Sequence, residues 1–231
     1  MSGNQNDEAS ATSGSQSWPN RVLRQLFFLT VVYPVVLLVI GYNIRRRHLL
    51  PQRGPAMVVA NHNSHLDTLV LMAIFGLRQL SRVRAVGAAD YFTRYEALHW
   101  FATRVLGVIL IDRHVRGMRK DPLEPIHRAI DGGDIVLLFP EGSRGEPEQL
   151  TEFKTGVAHL AVKHPQLPIV PVYLHGLGKA LPRGEGLLVP FFCDVFIGEA
   201  LHWTGDRESF MGELNARMHE LQQEGHFPDW E

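Results

Sequence analysis

From residue 56 onward, short apolar runs alternate with stretches of helical spacing. Ala56–Ala60 reads as a strand that ends at Asn61. In His65–Phe75, Leu66, Leu69, Val70, Ala73 and Ile74 recur at helical intervals, and Gly76 stops the pattern. Val83–Gly87 predicts a strand, Tyr91–Leu106 a helix and Val108–Asp112 a strand. Pro122–Asp131 predicts a helix closed by Gly132-Gly133. Ile135–Phe139 is a continuous apolar strand, Phe153–His164 a helix and Ile169–Leu174 another strand. A last helix, Glu208–Gln223, puts Phe210, Leu214, Met218 and Leu221 on one face. Short apolar strands alternating with helices predict an α/β fold: a mixed, largely parallel sheet flanked by helices.

The amino-terminal part has a different pattern. Met1–Ser17 is rich in Ser, Gly, Asn and Gln, cannot bury a core, and is expected to be a disordered tail. Leu26–Tyr42 is an uncharged apolar run of about 25 Å as a helix, short of a ~30 Å hydrocarbon core. Pro34 in its middle predicts a kink. Arg21 and Arg24 precede the run; Arg45, Arg46, Arg47 and His48 follow it. A buried core helix is the bland reading. The arginines at both ends favour a helix that dips into one leaflet with its cationic ends among the headgroups. A single span is the rival; the excess of arginine on its carboxyl-terminal side would keep the main domain cytoplasmic. The organisation expected is a tail at 1–17, a membrane-associating helix with basic flanks at 18–48, and one main domain at 49–231.

Charge sharpens this picture. The formal net charge is −1. Nine arginines (21, 24, 45, 46, 47, 53, 78, 82 and 84) nevertheless lie between Ala9 and Ala89 with only Asp67 against them. A basic first third points to an anionic surface or ligand. The apolar run beside it favours lipid over nucleic acid. Apolar residues at 45% and charged residues at 20% exclude a wholly disordered chain. The single cysteine, Cys193, excludes an internal disulfide and reads as a buried apolar residue.

Polar residues that could carry chemistry gather at strand ends, where open α/β sheets form their sites. The first group is Asn61-His62-Asn63-Ser64-His65-Leu66-Asp67. Five residues on one helix turn through about 140°, so His62 and Asp67 meet only if His62 lies on the loop and Asp67 in the following helix. A carboxylate on one imidazole nitrogen fixes the tautomer and leaves the other nitrogen as a base. A metal set of His62, His65 and Asp67 is the alternative, and helix capping is the bland role for Asn63 or Ser64. The second group ends Val108–Asp112 with Asp112-Arg113, which could be a structural ion pair. The third is Phe139-Pro140-Glu141-Gly142-Ser143-Arg144-Gly145. Its glycines permit close backbone approach, and Arg144 offers a fork that matches phosphate. Glu141 occupies the place where a Gly-x-Ser-x-Gly nucleophile elbow needs glycine, which disfavours a serine hydrolase. The fourth is Ile169-Val170-Pro171-Val172-Tyr173, a core strand or a substrate wall.

Taken together and in this order, the four groups resemble the glycerolipid acyltransferases, the PlsC-like lysophospholipid acyltransferase family. Their pattern is Asn-His-x-x-x-x-Asp, then Gly-x-Ile-x-Ile-x-Arg, then Phe-Pro-Glu-Gly-(Thr/Ser)-Arg, then Val-Pro-Val. The resemblance covers about Gly54–Gly198, and Phe153-Lys154-Thr155-Gly156 matches a further Phe-Lys-x-Gly. Three departures stand out: no lysine between Ala85 and Gly107, Ser143 in place of the commoner threonine, and Gly145 where serine is frequent. The resemblance implies the glycerol-3-phosphate acyltransferase-like fold and a catalytic pair, His62 as base and Asp67 as its support. It implies that Arg113, Glu141, Gly142, Ser143 and Arg144 bind the acceptor, with Lys154 assisting. It implies no bound cofactor or metal, acyl-CoA or an acyl carrier protein thioester as donor, and a lysophospholipid acceptor taken at the cytoplasmic membrane face, most simply 1-acylglycerol-3-phosphate. A lyso-aminolipid acceptor, or a non-catalytic lipid-binding protein on the same fold, are the alternatives.

Overall fold

The computed structural model describes residues 17–64, 66–112, 121–142, 150–180 and 192–225. The tail expected at 1–17 therefore lies almost wholly outside the described residues. The helix α1 (Trp18–Phe27) continues through two π-helical stretches, Phe28–Val32 and Val35–Ile40, on either side of Pro34. Arg24, Phe28, Val32, Val36 and Ile40 are all buried. A stride of four drifts by about 40° per step around a regular α-helix. The wider π turns reduce that drift and keep the stripe on the core. Proline supplies no N–H, so the shift in hydrogen-bond register falls where the ladder is already interrupted.

The helix stops at Ile40 because Gly41 turns the chain with φ +62°, a conformation that favours glycine. The next residues form β1 (Tyr42–Arg45). The helix expected through residue 48 is thus shorter, and its last part belongs to the sheet. Then come β2 (Ala56–Ala60), α2 (Leu66–Ile74), α3 (Leu77–Leu80) and β3 (Val83–Ala88). The single helix expected over Tyr91–Leu106 is instead α4 (Ala89–Phe92), α5 (Glu96–Trp100) and a π-helical turn, Phe101–Val105. β4 (Ile109–Ile111), α6 (Glu124–Asp131), β5 (Ile135–Leu138), α7 (Gly156–Lys163), β6 (Ile169–His175), α8 (Leu177–Ala180), β7 (Cys193–Ile197) and α9 (Arg207–Glu224) complete the described chain.

The seven strands form one sheet in the order β1-β7-β6-β2-β5-β3-β4. Every neighbouring pair is parallel except β6/β7. One face packs α2 and the amino-terminal helix around Val58, Val70, Leu71 and Val172. The other packs α6, α7 and α9 around Met57, Val136, Leu160 and Phe210. Cys193 is buried in β7.

The basic flank expected to be free for headgroups is largely tied into the protein. Arg46 donates from Nε to the Ile197 carbonyl (2.7 Å) and from both terminal nitrogens to the Glu224 carboxylate (2.9 and 2.7 Å). That fork holds the Glu224 carboxyl below the usual carboxylate range. Arg47 donates to the Ile74 carbonyl at the end of α2 (2.9 Å), and the Arg45 guanidinium lies 4.8 Å over the Phe196 ring. Arg24 is 1% exposed and donates to the Val83 carbonyl (2.6 Å). Burial lowers its pKa to about 9, so it is still a cation at neutral pH.

A second buried polar feature joins α6 to the end of α7. His127 Nδ1 and His164 Nε2 are 2.8 Å apart, within hydrogen-bonding distance. Asp121 approaches His127 Nε2 (3.4 Å), and Asp131 approaches His164 Nδ1 (3.7 Å). Burial, then Lys163 and His164, lower the His127 pKa; Asp121 and Glu124 oppose them. A histidine harder to protonate folded than unfolded stabilises the fold above its unfolded pKa of about 6.5 and loses that stability as pH falls through its lower folded pKa. Urea midpoints should therefore decline below about pH 6.5, and His127→Gln should flatten the decline. A slope unchanged in the variant would assign the effect to other groups.

Candidate active site

β2 delivers Asn61 and His62 to its carboxyl-terminal end, and neighbouring β5 delivers Phe139, Pro140 and Glu141 to its own. The parallel register puts the two loops side by side. Asp67 stands in the first turn of α2 and is fully buried. Its Oδ2 accepts from the backbone N–H of Asn63 (2.6 Å) and of Ser64 (2.8 Å) and lies 2.9 Å from His62 Nδ1. The loop-and-helix geometry required by the five-residue spacing is the one observed. Asn63 and Ser64 give their backbone N–H groups to Asp67. Burial pushes the Asp67 carboxyl up, while the donors on Oδ2 pull against that shift.

His62 is tethered on three sides. Its imidazole stacks on Phe139 at 4.4 Å between ring centres, its Nδ1 meets Asp67, and its backbone N–H donates to Glu141 Oε1 (3.2 Å). With Nδ1 as donor to Asp67, Nε2 is the acceptor nitrogen. The side chain is 20% exposed, so a ligand can reach it. The loop itself is fixed by the two asparagines. Asn61 donates to the Leu174 carbonyl (2.8 Å) and accepts from the Leu174 N–H (2.7 Å), and Asn63 donates to the same carbonyl (3.0 Å). These bonds carry the β2–β6 ladder one step beyond the strand.

Glu141 is buried, with one oxygen on the His62 N–H and the other accepting from the Thr151 hydroxyl (2.8 Å). Its carboxylate braces the histidine loop. Burial raises its pKa, and the hydrogen bonds from Thr151 and His62 oppose that. One carboxylate, Asp67, thus meets the imidazole at Nδ1, and a second, Glu141, holds the backbone of the same residue. Asn61, Asn63 and Phe139 stand in the polar groups and motifs of the sequence without a catalytic or binding role, and Thr151 stands in none of them; the contacts of the folded chain give all four a place at the site.

Gly142 has φ +73°. A Cβ there would lie 2.5 Å from Lys154 Nζ, so the lysine side chain crosses this bare backbone and brings a cation to the rim. The Lys154 N–H donates to the Pro140 carbonyl (3.0 Å), which ties the two segments together. Arg113, Ser143, Arg144 and the alternative metal ligand His65 lie outside the described residues. The strand that leads to Arg113, β4, is at the sheet edge, three strand spacings or about 14 Å from β2. The Val-Pro-Val block is the interior strand β6, buried along its length. Pro171 is tolerated there because β7 pairing begins at Val172.

Glu141→Gln can keep both hydrogen bonds, because the Thr151 hydroxyl can rotate to accept from the new amide. It removes only the charge. We expect an unchanged melting temperature with kcat lowered about tenfold, which corresponds to about 1.4 kcal/mol of transition-state stabilisation lost with the charge. Glu141→Ala should in addition lower stability by about 1–3 kcal/mol for the stranded His62 N–H. Calorimetry with steady-state kinetics separates the two effects, and full activity in Glu141→Gln would count against a role for the charge.

Three comparisons bear on this geometry. The acyltransferase family profile matches residues 41–175. The chain is 31% identical over 177 residues to the 1-acyl-sn-glycerol-3-phosphate acyltransferase alpha of Homo sapiens, covering 76% of this chain and 59% of that protein. It is 29% identical over 179 residues to the 1-acyl-sn-glycerol-3-phosphate acyltransferase of Pseudomonas aeruginosa, covering 77% and 66%. The chain thus spans about three fifths to two thirds of the length of these relatives. Among solved structures, PlsC of Thermotoga maritima, a 1-acyl-sn-glycerophosphate acyltransferase, superposes with a TM-score of 0.69 at 17% identity, covering 98% of this chain and 86% of that one. At that identity the likeness is one of fold.

Proposed function

The chain belongs to the acyltransferase family, and from that premise we propose that it moves a fatty acyl group from a thioester to the free hydroxyl of a lysophospholipid, 1-acylglycerol-3-phosphate foremost. The observation that carries this reading is the His62–Asp67 pair at the end of β2, with His62 Nε2 as the acceptor nitrogen. Nε2 takes the proton of the acceptor hydroxyl. The hydroxyl oxygen bonds to the thioester carbonyl carbon, the carbon–sulfur bond breaks, and the proton passes from His62 to the departing thiolate. Asp67 holds the tautomer and stabilises the transient imidazolium. The donor is acyl-CoA or an acyl carrier protein thioester.

Arg113 and Arg144 are assigned to the acceptor phosphate, with Gly142 and Ser143 shaping the turn and Lys154 adding charge. Arg144→Ala should raise the Michaelis constant for lysophosphatidate about tenfold or more. Arg144→Lys should recover only part, since a point charge does not reproduce the bidentate fork. A lyso-aminolipid should lose much less. Equal losses for both acceptors would contradict the assignment.

The reaction is placed at a membrane, on its cytoplasmic side. By length and composition Trp18–Leu38 could cross a bilayer. Its inner stripe packs in the core, whereas Trp18, Leu26, Leu29, Leu37 and Leu38 are exposed, and Phe27 meets Phe101 edge-on at 5.0 Å. The adjoining segment exposes Tyr91, Tyr95 and Trp100. A helix with one face committed to the domain and an apolar, aromatic outer face suits insertion into one leaflet.

A further inference from the structure

The structure gives protein partners to most of the basic first third. Arg24 holds the Val83 carbonyl, Arg46 the Glu224 carboxylate and Arg47 the end of α2. Arg82 and Arg84 both approach Asp134 (3.6 and 3.7 Å). Arg53 and Arg78 make no hydrogen bond or ion pair with any of the described residues. Both line one cleft of about 390 Å³, together with Arg82, Gln52 and Gln79. None of its lining residues is acidic.

This cleft lies at the amino-terminal ends of β2, β3 and β5, beside Gly54, Arg82 and Gly133. His62 follows the opposite end of β2. The five residues between put it about 17 Å away. An anion bound in the cleft is therefore not the acceptor phosphate at His62. The neighbourhood is short of negative charge. Arg82 and Arg84 share the Asp134 carboxylate, and Nε and one terminal nitrogen of buried Arg24 have no hydrogen-bond partner among the described residues. Arg53 and Arg78 add two further cations beside them.

We propose that this cleft is a second anion site and that it takes the phosphate of an anionic phospholipid headgroup. Arg53, Arg78 and Arg82 supply the charge, and Gln52 and Gln79 supply neutral hydrogen-bonding groups. The location selects lipid. Arg24 belongs to the amino-terminal helix and bonds to the carbonyl next after Arg82, so the helix end that exposes Trp18 and Leu26 adjoins the cleft. A helix lying in one leaflet would hold the cleft at headgroup level. This inference rests on the membrane reading above and gives it a lipid preference.

The test uses the full chain and vesicles of phosphatidylcholine, alone or mixed with phosphatidylglycerol. Wild type should sediment with both and favour the anionic ones. An R53Q/R78Q double variant should lose about thirtyfold in partition to anionic vesicles, from two surface arginines, and keep its partition to neutral ones. Arg82 is left in place because it also donates to the Gly132 carbonyl. An R128Q/R217Q control, which removes the same charge from α6 and α9, should bind as wild type does. Equal melting temperatures would show that the variants are folded. An undiminished anionic preference in R53Q/R78Q would overturn the site. So would loss of binding to free coenzyme A or to inorganic phosphate with vesicle partition unchanged, since the phosphate would then be soluble. Equal wild-type binding to both vesicles would defeat this site alone. Wild-type binding to neither would defeat the membrane reading with it.

Discussion

His62→Ala should lower acyl transfer by between about 10² and 10⁴-fold, the usual contribution of a positioned general base. The fold should survive, because the imidazole is partly exposed and belongs to neither apolar cluster. Asp67→Asn should approach the same loss by another route. Oδ2 collects three contacts at 2.6–2.9 Å, and an amide oxygen turned to that place can still accept all three. What is lost is the negative charge beside Nδ1 while His62 carries the proton in transit. Because the two residues act as a unit, the double variant should be little worse than either single one. Additive losses would mean that Asp67 acts on something other than His62. Steady-state kinetics beside circular dichroism gives both readouts.

Removal of residues 1–40 should abolish folding rather than release a soluble domain. Phe28, Val32, Val36 and Ile40 are buried in the same cluster as α2 and the sheet. Burying each such side chain contributes about 1.5–3 kcal/mol, or about 6–12 kcal/mol for four. That matches the whole stability of a typical domain, about 5–15 kcal/mol. Arg24 also leaves the Val83 carbonyl behind. The truncated chain should be insoluble or melt without cooperativity. Removal of residues 1–16 should change little, given their composition. A cooperative melt of the longer deletion would show that the helix is an appendage, as the sequence pattern alone allows.

The difference between those two pictures shows what could be read from the sequence. An apolar run with one proline and flanking arginines looks the same whether it lies in lipid or on a sheet. Its buried stripe is visible only once the π turns keep residues 24, 28, 32, 36 and 40 in line. The strands β2 to β6 were legible because a parallel sheet buried on both faces writes continuous apolar runs. β1 and β7 were not. β1 is four residues of alternating burial that abut the apolar helix, and β7 carries Asp194, whose carboxylate is satisfied by Asn43 of β1. The arginine partners were out of reach for the same reason: Arg46 and Glu224 are 178 residues apart. At the site, the His62–Asp67 pair could be reasoned from spacing and the strand-to-helix transition. The brace from Glu141 and Thr151 depends on β2 and β5 being neighbours, which no local pattern states.

The most direct test of the central claim is product analysis. The purified chain in lipid vesicles is given an acyl-CoA or an acyl carrier protein thioester and a panel of lysolipids, and the products are identified by mass spectrometry. The account predicts a diacyl product carrying the donor's chain, formed fastest from 1-acylglycerol-3-phosphate and lost in His62→Ala. No acyl transfer to any lysolipid by the folded wild type, or an undiminished product in a folded His62→Ala variant, would contradict it.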